Sequence, residues 1–200
     1  MKHCGSKRNL PGSALLLLCL VSCATEPGLA PPPYSPVYLT DQAQYTLLHP
    51  SRLSAPMDGY QRITASYGTR EFSVGAWVMA NEQEITMALF NSMGAGMGEL
   101  FFDEGSIALS SDVFSGFIKP EYIVADFQLC FYRFDAVARA LADSGLEFRT
   151  AAFVDDNNET GEIRVVSDGK SHIIEIVKTK TAVRLTNHLR GYVYTLEGDF

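Results

Sequence analysis

Few positions in this chain could do chemistry, and each suggests a different kind. Cys23 closes the stretch Leu20-Val21-Ser22-Cys23, where an apolar run gives way to a proline-rich one. Glycines alternate in Gly94-Ala95-Gly96-Met97-Gly98, oxygen-bearing side chains crowd Asp155 to Glu162, and histidines stand at 49, 172 and 188. The chemistries in question are thiol acylation, a phosphate cradle, a calcium loop, and a metal site or general base.

Most of these reduce to structure. A phosphate loop needs a helix N-terminus to aim backbone N–H groups at the anion. Here the spacing is G-x-G-x-G and the strand-like Glu99 to Asp103 follows, so a turn or sheet kink is expected. In Asp155 to Glu162 the glycine lies one position late for a calcium loop, the closing bidentate glutamate is missing, and strands flank it. That segment reads as a solvated hairpin. The histidines are scattered, and no H-x-x-x-H or C-x-x-C spacing offers zinc a site. Ser110-Ser111-Asp112 ends a strand and has no matched base, and there is no G-x-S-x-G elbow. Cys130 sits among large apolar residues in Asp126-Phe127-Gln128-Leu129-Cys130-Phe131-Tyr132, the setting of a buried, inert thiol. The chain reads as a non-enzyme without metal or cofactor.

Cys23 is different. Lys2, Lys7 and Arg8 precede an apolar run from Ala14 to Val21, broken only by Cys19, and then the small Ser22. This is the layout of a secretory signal peptide, and the run is well short of the roughly 20 residues that span a bilayer. Leu20-Val21-Ser22-Cys23 resembles a bacterial lipobox, which is cut before the cysteine once its thiol carries a diacylglycerol. Several acyl chains, at about 0.8 kcal/mol per buried methylene, make a stable anchor. Residues 1–22 are therefore expected to be a lipoprotein signal peptide and residues 23–36 a lipidated cysteine and proline-rich tether. Ala24 after the cysteine favours the outer membrane, facing the periplasm. At about 3 Å per residue the tether reaches roughly 40 Å.

The charge balance of the chain is 16 basic against 23 acidic side chains. Without residues 1–22 it becomes 13 against 23, or −10. Nucleic acid is a poor partner for such a surface, because phosphate binding rests on clustered Lys and Arg. Membrane attachment must then come from the lipid.

Positioning elements follow from apolar periodicity. Period-two alternation runs through Ile63, Ala65, Tyr67; Phe72, Val74, Ala76, Val78; Ile85, Met87, Leu89; Leu100, Phe102; and Ile107, Leu109, which predicts five antiparallel strands between Tyr60 and Asp112. From Pro120 the pattern suits two helices, PEYIVADFQLCFYRF and DAVARALADSG, with Asp135 as N-cap and Gly145 as the C-terminal stop. Strands return at Glu147 to Phe153, Gly161 to Val166, His172 to Thr179, Ala182 to His188 and Tyr192 to Glu197. Tyr38 to Leu48 is strand or helix. Residues 37–200 are thus expected to be one α+β domain, mainly antiparallel β. Its expected form is a curved, half-open barrel of about ten strands with a two-helix insert packed on the concave face. A curved sheet with few helices can leave an apolar cavity, and its candidate lining is Val74, Met87, Leu89, Leu100, Phe102, Leu109, Phe127, Tyr192 and Tyr194. Met93 and Met97 extend the same methionine-rich face, which suits shapeless acyl chains.

The stretches MALFNSMGAGMGELFFDEGSI, IKPEYIVADFQLCFYRFDAVARAL and NHLRGYVYTL resemble the bacterial lipoprotein family called domain of unknown function 3261, over about Gln61 to Glu197. The resemblance implies a layout similar to the LolA and LolB carriers, whose incomplete barrel under a helical lid shelters acyl chains. It implies aryl-polyene lipid as a possible cargo class and brings no catalytic residues. The family's usual aromatic-proline pair is replaced here by Phe131-Tyr132-Arg133. The expected function is an outer-membrane-anchored carrier of a hydrophobic ligand; the alternative is a structural lipoprotein that holds protein partners of a lipid transport or biosynthesis system at the membrane.

Overall fold

In the computed structural model, which describes Met1, residues 34–111, 119–155, 158–198 and Phe200, two five-stranded meanders share one sheet. The first comprises β3 (Met57–Tyr67), β4 (Arg70–Ala80), β5 (Glu84–Phe90), β6 (Gly96–Asp103) and β7 (Ile107–Ser110). The second comprises β8 (Glu147–Val154), β9 (Thr160–Ser167), β10 (His172–Lys178), β11 (Ala182–Asn187) and β12 (Tyr192–Glu197). All neighbours pair antiparallel in the order β7-β6-β5-β4-β3-β12-β11-β10-β9-β8. The seam is β12 on β3, with Tyr192 opposite Tyr67 and Leu196 opposite Ile63. The sheet is open: β7 and β8 are its edges and do not pair with each other.

Between the meanders run α1 (Pro120–Phe131) and α2 (Phe134–Ala142). Pro120 opens α1, where its missing N–H costs nothing. The helix ends at Phe131, three residues before the apolar pattern stops, because Tyr132 is extended and bridges to Leu53. Arg133 N–H then donates to the Arg52 carbonyl. This clamp moves the start of α2: Arg133, not Asp135, precedes the helix, and Asp135 lies in its first turn. A carboxylate there still favours the helix dipole. Gly145 is the expected stop, at a φ of 76°.

Before the sheet, β1 (Val37–Tyr38) and β2 (Gln44–Tyr45) form a small hairpin, followed by a short 3-10 turn at Pro50–Arg52. Val37, Tyr45, Leu47 and Leu53 join the buried cluster of the sheet and α1. So α1 lies between the sheet and this N-terminal segment, and Val124 to Phe131 are buried on every side. A helix apolar nearly all round requires such covering. Cys130 lies within it as a free, buried thiol; Cys23, the signal-peptide stretch and most of the tether lie outside the described residues.

The glycine-rich segment is the expected kink. Pairing shifts register at Leu89/Phe90, opposite Gly98 and Gly96. Gly98 has a φ of 153°, and a Cβ there would fall 2.6 Å from the Ser110 carbonyl oxygen. Only glycine lets β7 approach β6 so closely.

Candidate functional site

The face of the sheet beneath the helices gathers buried apolar side chains from both meanders, and its two halves are built differently. In the first meander the strands present Val74, Ala76, Val78 and Ala80, then Ile85, Met87 and Leu89, then Leu100 and Phe102, all buried. Ile107 and Leu109 of β7 continue the face half-buried. Gln61 is the polar exception, and its Oε1 is buried without a hydrogen-bond partner among the described residues.

The second meander places Val166, Ile174, Ile176, Val183 and Leu185 on that face, together with Glu162, Arg164, Lys178 and Asn187. Arg164 is buried, and its Nη1 donates to the carbonyl oxygens of Leu129 (3.2 Å) and Tyr132 (3.0 Å). These acceptors at the end of α1 have no further helical turn to bond them. Arg164 Nε lies 3.1 Å from Glu162 Oε1, which also accepts from the Thr150 hydroxyl. Burial pulls the Glu162 carboxyl up, but the bonds from Arg164 and Thr150 outweigh it and hold it below its ordinary value. Lys178 Nζ sits 4.9 Å from the centre of the Phe131 ring, on which Phe200 stacks. Burial, then the charge of Arg164, lowers the Lys178 ammonium.

Midway along α1, Asp126 accepts from the Tyr192 hydroxyl at 2.8 Å, and that hydroxyl accepts from Asn187 Nδ2 at 3.2 Å. Burial pushes the Asp126 carboxyl up to about 7, against the pull of the Tyr192 hydrogen bond and the Arg190 charge. Cys130, one turn on, is pushed up to about 12 by burial and then by Asp126, and its Sγ lies 3.9 Å from Tyr194 Oη. On the far side of α1, Gln128 donates to the Leu48 carbonyl and accepts from Leu48 N–H and the Tyr45 hydroxyl. α2 covers the edge β8, with Phe134 stacked on Phe148 at 5.1 Å.

The candidate lining residues come together on this face. Met87, Leu89, Leu100, Phe102 and Phe127 belong to the continuous buried cluster; Leu109, Tyr192 and Tyr194 pack half-buried against it; Val74 is buried but outside it. Phe102 and Leu100 are almost wholly enclosed, and Tyr34 from the N-terminal segment packs on the Phe102 ring at 5.6 Å. Met97 packs against the cluster, but Met93 does not: it is 87 % exposed at the tip of the β5–β6 turn. Two surface hollows, about 460 and 710 Å³, are lined by other residues. The smaller holds His49, whose Nε2 stands 3.5 Å from Glu104. The Asp155 loop is a hairpin in which Asp155 Oδ1 accepts the Glu159 N–H.

Asp126, Gln128, Arg164 and Asn187 have no role in the apolar pattern. The signal that could have found them is an apolar run interrupted by a group with several hydrogen-bonding atoms, as in Ala125-Asp126-Phe127-Gln128-Leu129. Such a group, once buried, must find partners.

A family model described as a protein of unknown function (DUF3261) matches residues 59–198, from the start of β3 to just past β12. No curated protein matches the chain.

Proposed function

The chain belongs to the DUF3261 family, and from that premise we propose that it is an outer-membrane-anchored periplasmic lipoprotein that shelters a hydrophobic ligand, an acyl or aryl-polyene chain. Its ligand lies between α1 and the first meander, in the manner of the half-open barrels of LolA and LolB. The observation that carries this reading is the asymmetry of the contacts on α1. Toward the second meander α1 is hydrogen-bonded through Asp126, Leu129 and Tyr132. The first meander offers it apolar contact almost alone, and apolar contact can be exchanged for an acyl chain at little cost in free energy because neither surface prefers one hydrocarbon to another. Ala76, Ala80 and the flexible Met87 line that side. The Gln61 oxygen stands there as an acceptor for a cargo head group. Cys23 carries the anchor, and residues 24–36 give the domain reach.

Native mass spectrometry of protein extracted gently from its host tests the cargo. A lipid of defined mass is expected on the wild-type chain, and consistent recovery without lipid would count against a carrier. Palmitate labelling with a Cys23→Ser variant tests the anchor: labelling and membrane retention are expected to vanish together.

A second reading, a structural lipoprotein that holds protein partners at the membrane, rests on two observations. The covered face is well filled by Phe127 and Leu129 of α1. The opposite face exposes Tyr60, Trp77 and Met79 side by side on β3 and β4. Crosslinking that captures proteins through Trp77 neighbours, with no lipid ever recovered, would favour it.

A further inference from the structure

Register sorts the turns of the sheet to two rims. At one rim lie Gly68-Thr69 between β3 and β4, Asn91–Ala95 between β5 and β6, His188–Gly191 between β11 and β12, and Asp168–Ser171 between β9 and β10. Strand order makes the first three consecutive along the sheet. On or beside each stands one exposed large apolar side chain: Tyr67, the last residue of β3, is 63 %, Met93 87 % and Leu189 56 % exposed. Single exposed apolar residues are ordinary. Three on successive turns of one rim are a pattern: on the opposite rim the turns read Asn81-Glu82-Gln83, Glu104-Gly105-Ser106 and Thr179-Lys180-Thr181, and among the described residues the exposed apolar side chain there is Val154, 61 % exposed beside the β8–β9 turn at the sheet edge.

The tips are held stiffly. Asn91 Oδ1 accepts the N–H groups of Met93 and Ala95, and Asn187 Oδ1 accepts that of Arg190. Charge divides the same way. In an acidic chain, the first rim is close to balanced, with Arg70, Lys170 and Arg190 against Glu71, Asp168 and Glu147, the last paired by Arg149, and with His172 and His188 beside them. The other carries Glu82, Glu84, Asp103, Glu104, Glu159 and Glu197 against Lys180 and the half-buried Lys178.

We propose that the first rim docks on a phospholipid surface, with Tyr67, Met93 and Leu189 entering the head-group layer and Arg70 and Lys170 facing phosphates, while Arg190 is held by the Tyr38 carbonyl and the Tyr122 ring. Large apolar tips flanked by cations match an interface that is greasy below and anionic above. A phospholipid bilayer repels the acidic rim and so orients the domain. The docking goes beyond lipid anchoring and cargo: it needs neither an acyl chain on Cys23 nor an occupied interior. It turns the end of the covered face that bears Tyr192 and Leu89 toward the bilayer.

Methionine oxidation reads the contact in the full chain. The protein is treated with hydrogen peroxide, with and without vesicles of phosphatidylcholine containing one quarter phosphatidylglycerol, and sulfoxide is measured by peptide mass spectrometry. Met93 oxidation is expected to slow at least fivefold with vesicles, while Met79, exposed on the outer face away from the rim, changes less than twofold. The doubly substituted Tyr67→Ser/Leu189→Ser chain is expected to lose most of that protection, and Arg70→Glu/Lys170→Glu to lose it most at low salt, where the reversed charges are least screened. Equal Met93 rates with and without vesicles would overturn the proposal. So would equal protection of both methionines, or protection of Met93 only by membrane proteins and never by pure lipid, which would assign the rim to a protein partner.

Discussion

The two meanders have the same topology and opposite linings. The first packs α1 with Val, Ala, Met, Leu and Phe side chains; the second holds it with Arg164, Tyr192 and their partners. Apolar packing is strong but non-directional, whereas buried hydrogen bonds fix one geometry and are costly to leave unmade. On the carrier reading proposed above, the second meander is the mount of the helix and the first the surface it would leave. Gln128 adds a third tie, to Leu48 and Tyr45 of the N-terminal segment.

Mutations that separate the two kinds of contact sharpen this contrast. Phe102→Ala, on the apolar side, removes a fully buried ring and is expected to cost about 4 kcal/mol in chemical denaturation. It should also admit a small apolar probe such as xenon into a dry cavity; a full cost without probe binding would mean that the first meander collapses and is no cradle. Arg164→Met, on the polar side, strands the Leu129 and Tyr132 carbonyls and Glu162, and is expected to cost about 3 kcal/mol. Its distinguishing sign is faster amide exchange at the end of α1. If exchange rises equally along the first meander, α1 is not mounted on one side.

Asp126 supplies a pH dependence. Its carboxyl is raised to about 7 in the fold, from 3.8 when exposed. The folded state therefore holds a proton that the unfolded chain releases. The stability this provides is complete below about pH 4, declines as pH rises, and is gone above about pH 7. Asp126→Asn keeps an acceptor for the Tyr192 hydroxyl and removes the charge, so it is expected to flatten that decline and to stabilise by on the order of 2 kcal/mol at pH 8. An unchanged pH profile would place the carboxylate in contact with water. The smallest effect belongs to Arg149→Ala, whose pair with Glu147 is exposed on the edge strand. Thermal denaturation should register less than about 0.5 kcal/mol.

Period-two alternation located the strands of both meanders because each has one face covered and one exposed. β9 shows where that signal ends. In Glu162-Ile163-Arg164-Val165 the apolar residues share one side, yet the buried side is that of Arg164 and Val166, while Ile163 and Val165 are half-exposed. Pairing with Phe148 and Ile174 sets the register, and the end of α1 supplies the acceptors that make a buried arginine tolerable. Similarly, nothing local in Tyr132-Arg133-Phe134 places a helix break there. The break exists because Leu53 and Arg52, far away in sequence, bond to that backbone. Met93 shares the methionine-rich composition of the face but sits in the turn that interrupts it, so a composition count includes it and the fold turns it outward.

By itself the sequence determined the strand–helix–strand order, the glycine kink, the buried thiol at Cys130 and, Met93 and β9 excepted, most of the apolar residues of the common face. These follow from local sterics and from the period of each element, which any short window contains. The tertiary structure alone decided the seam of β12 on β3, the mounting of α1 on the second meander, the burial of Arg164 and Asp126, and the gathering of Tyr67, Met93 and Leu189 on one rim. Each of these depends on partners brought together from distant parts of the chain. A polar group's cost or a turn's place on the rim is defined only when those partners are in place.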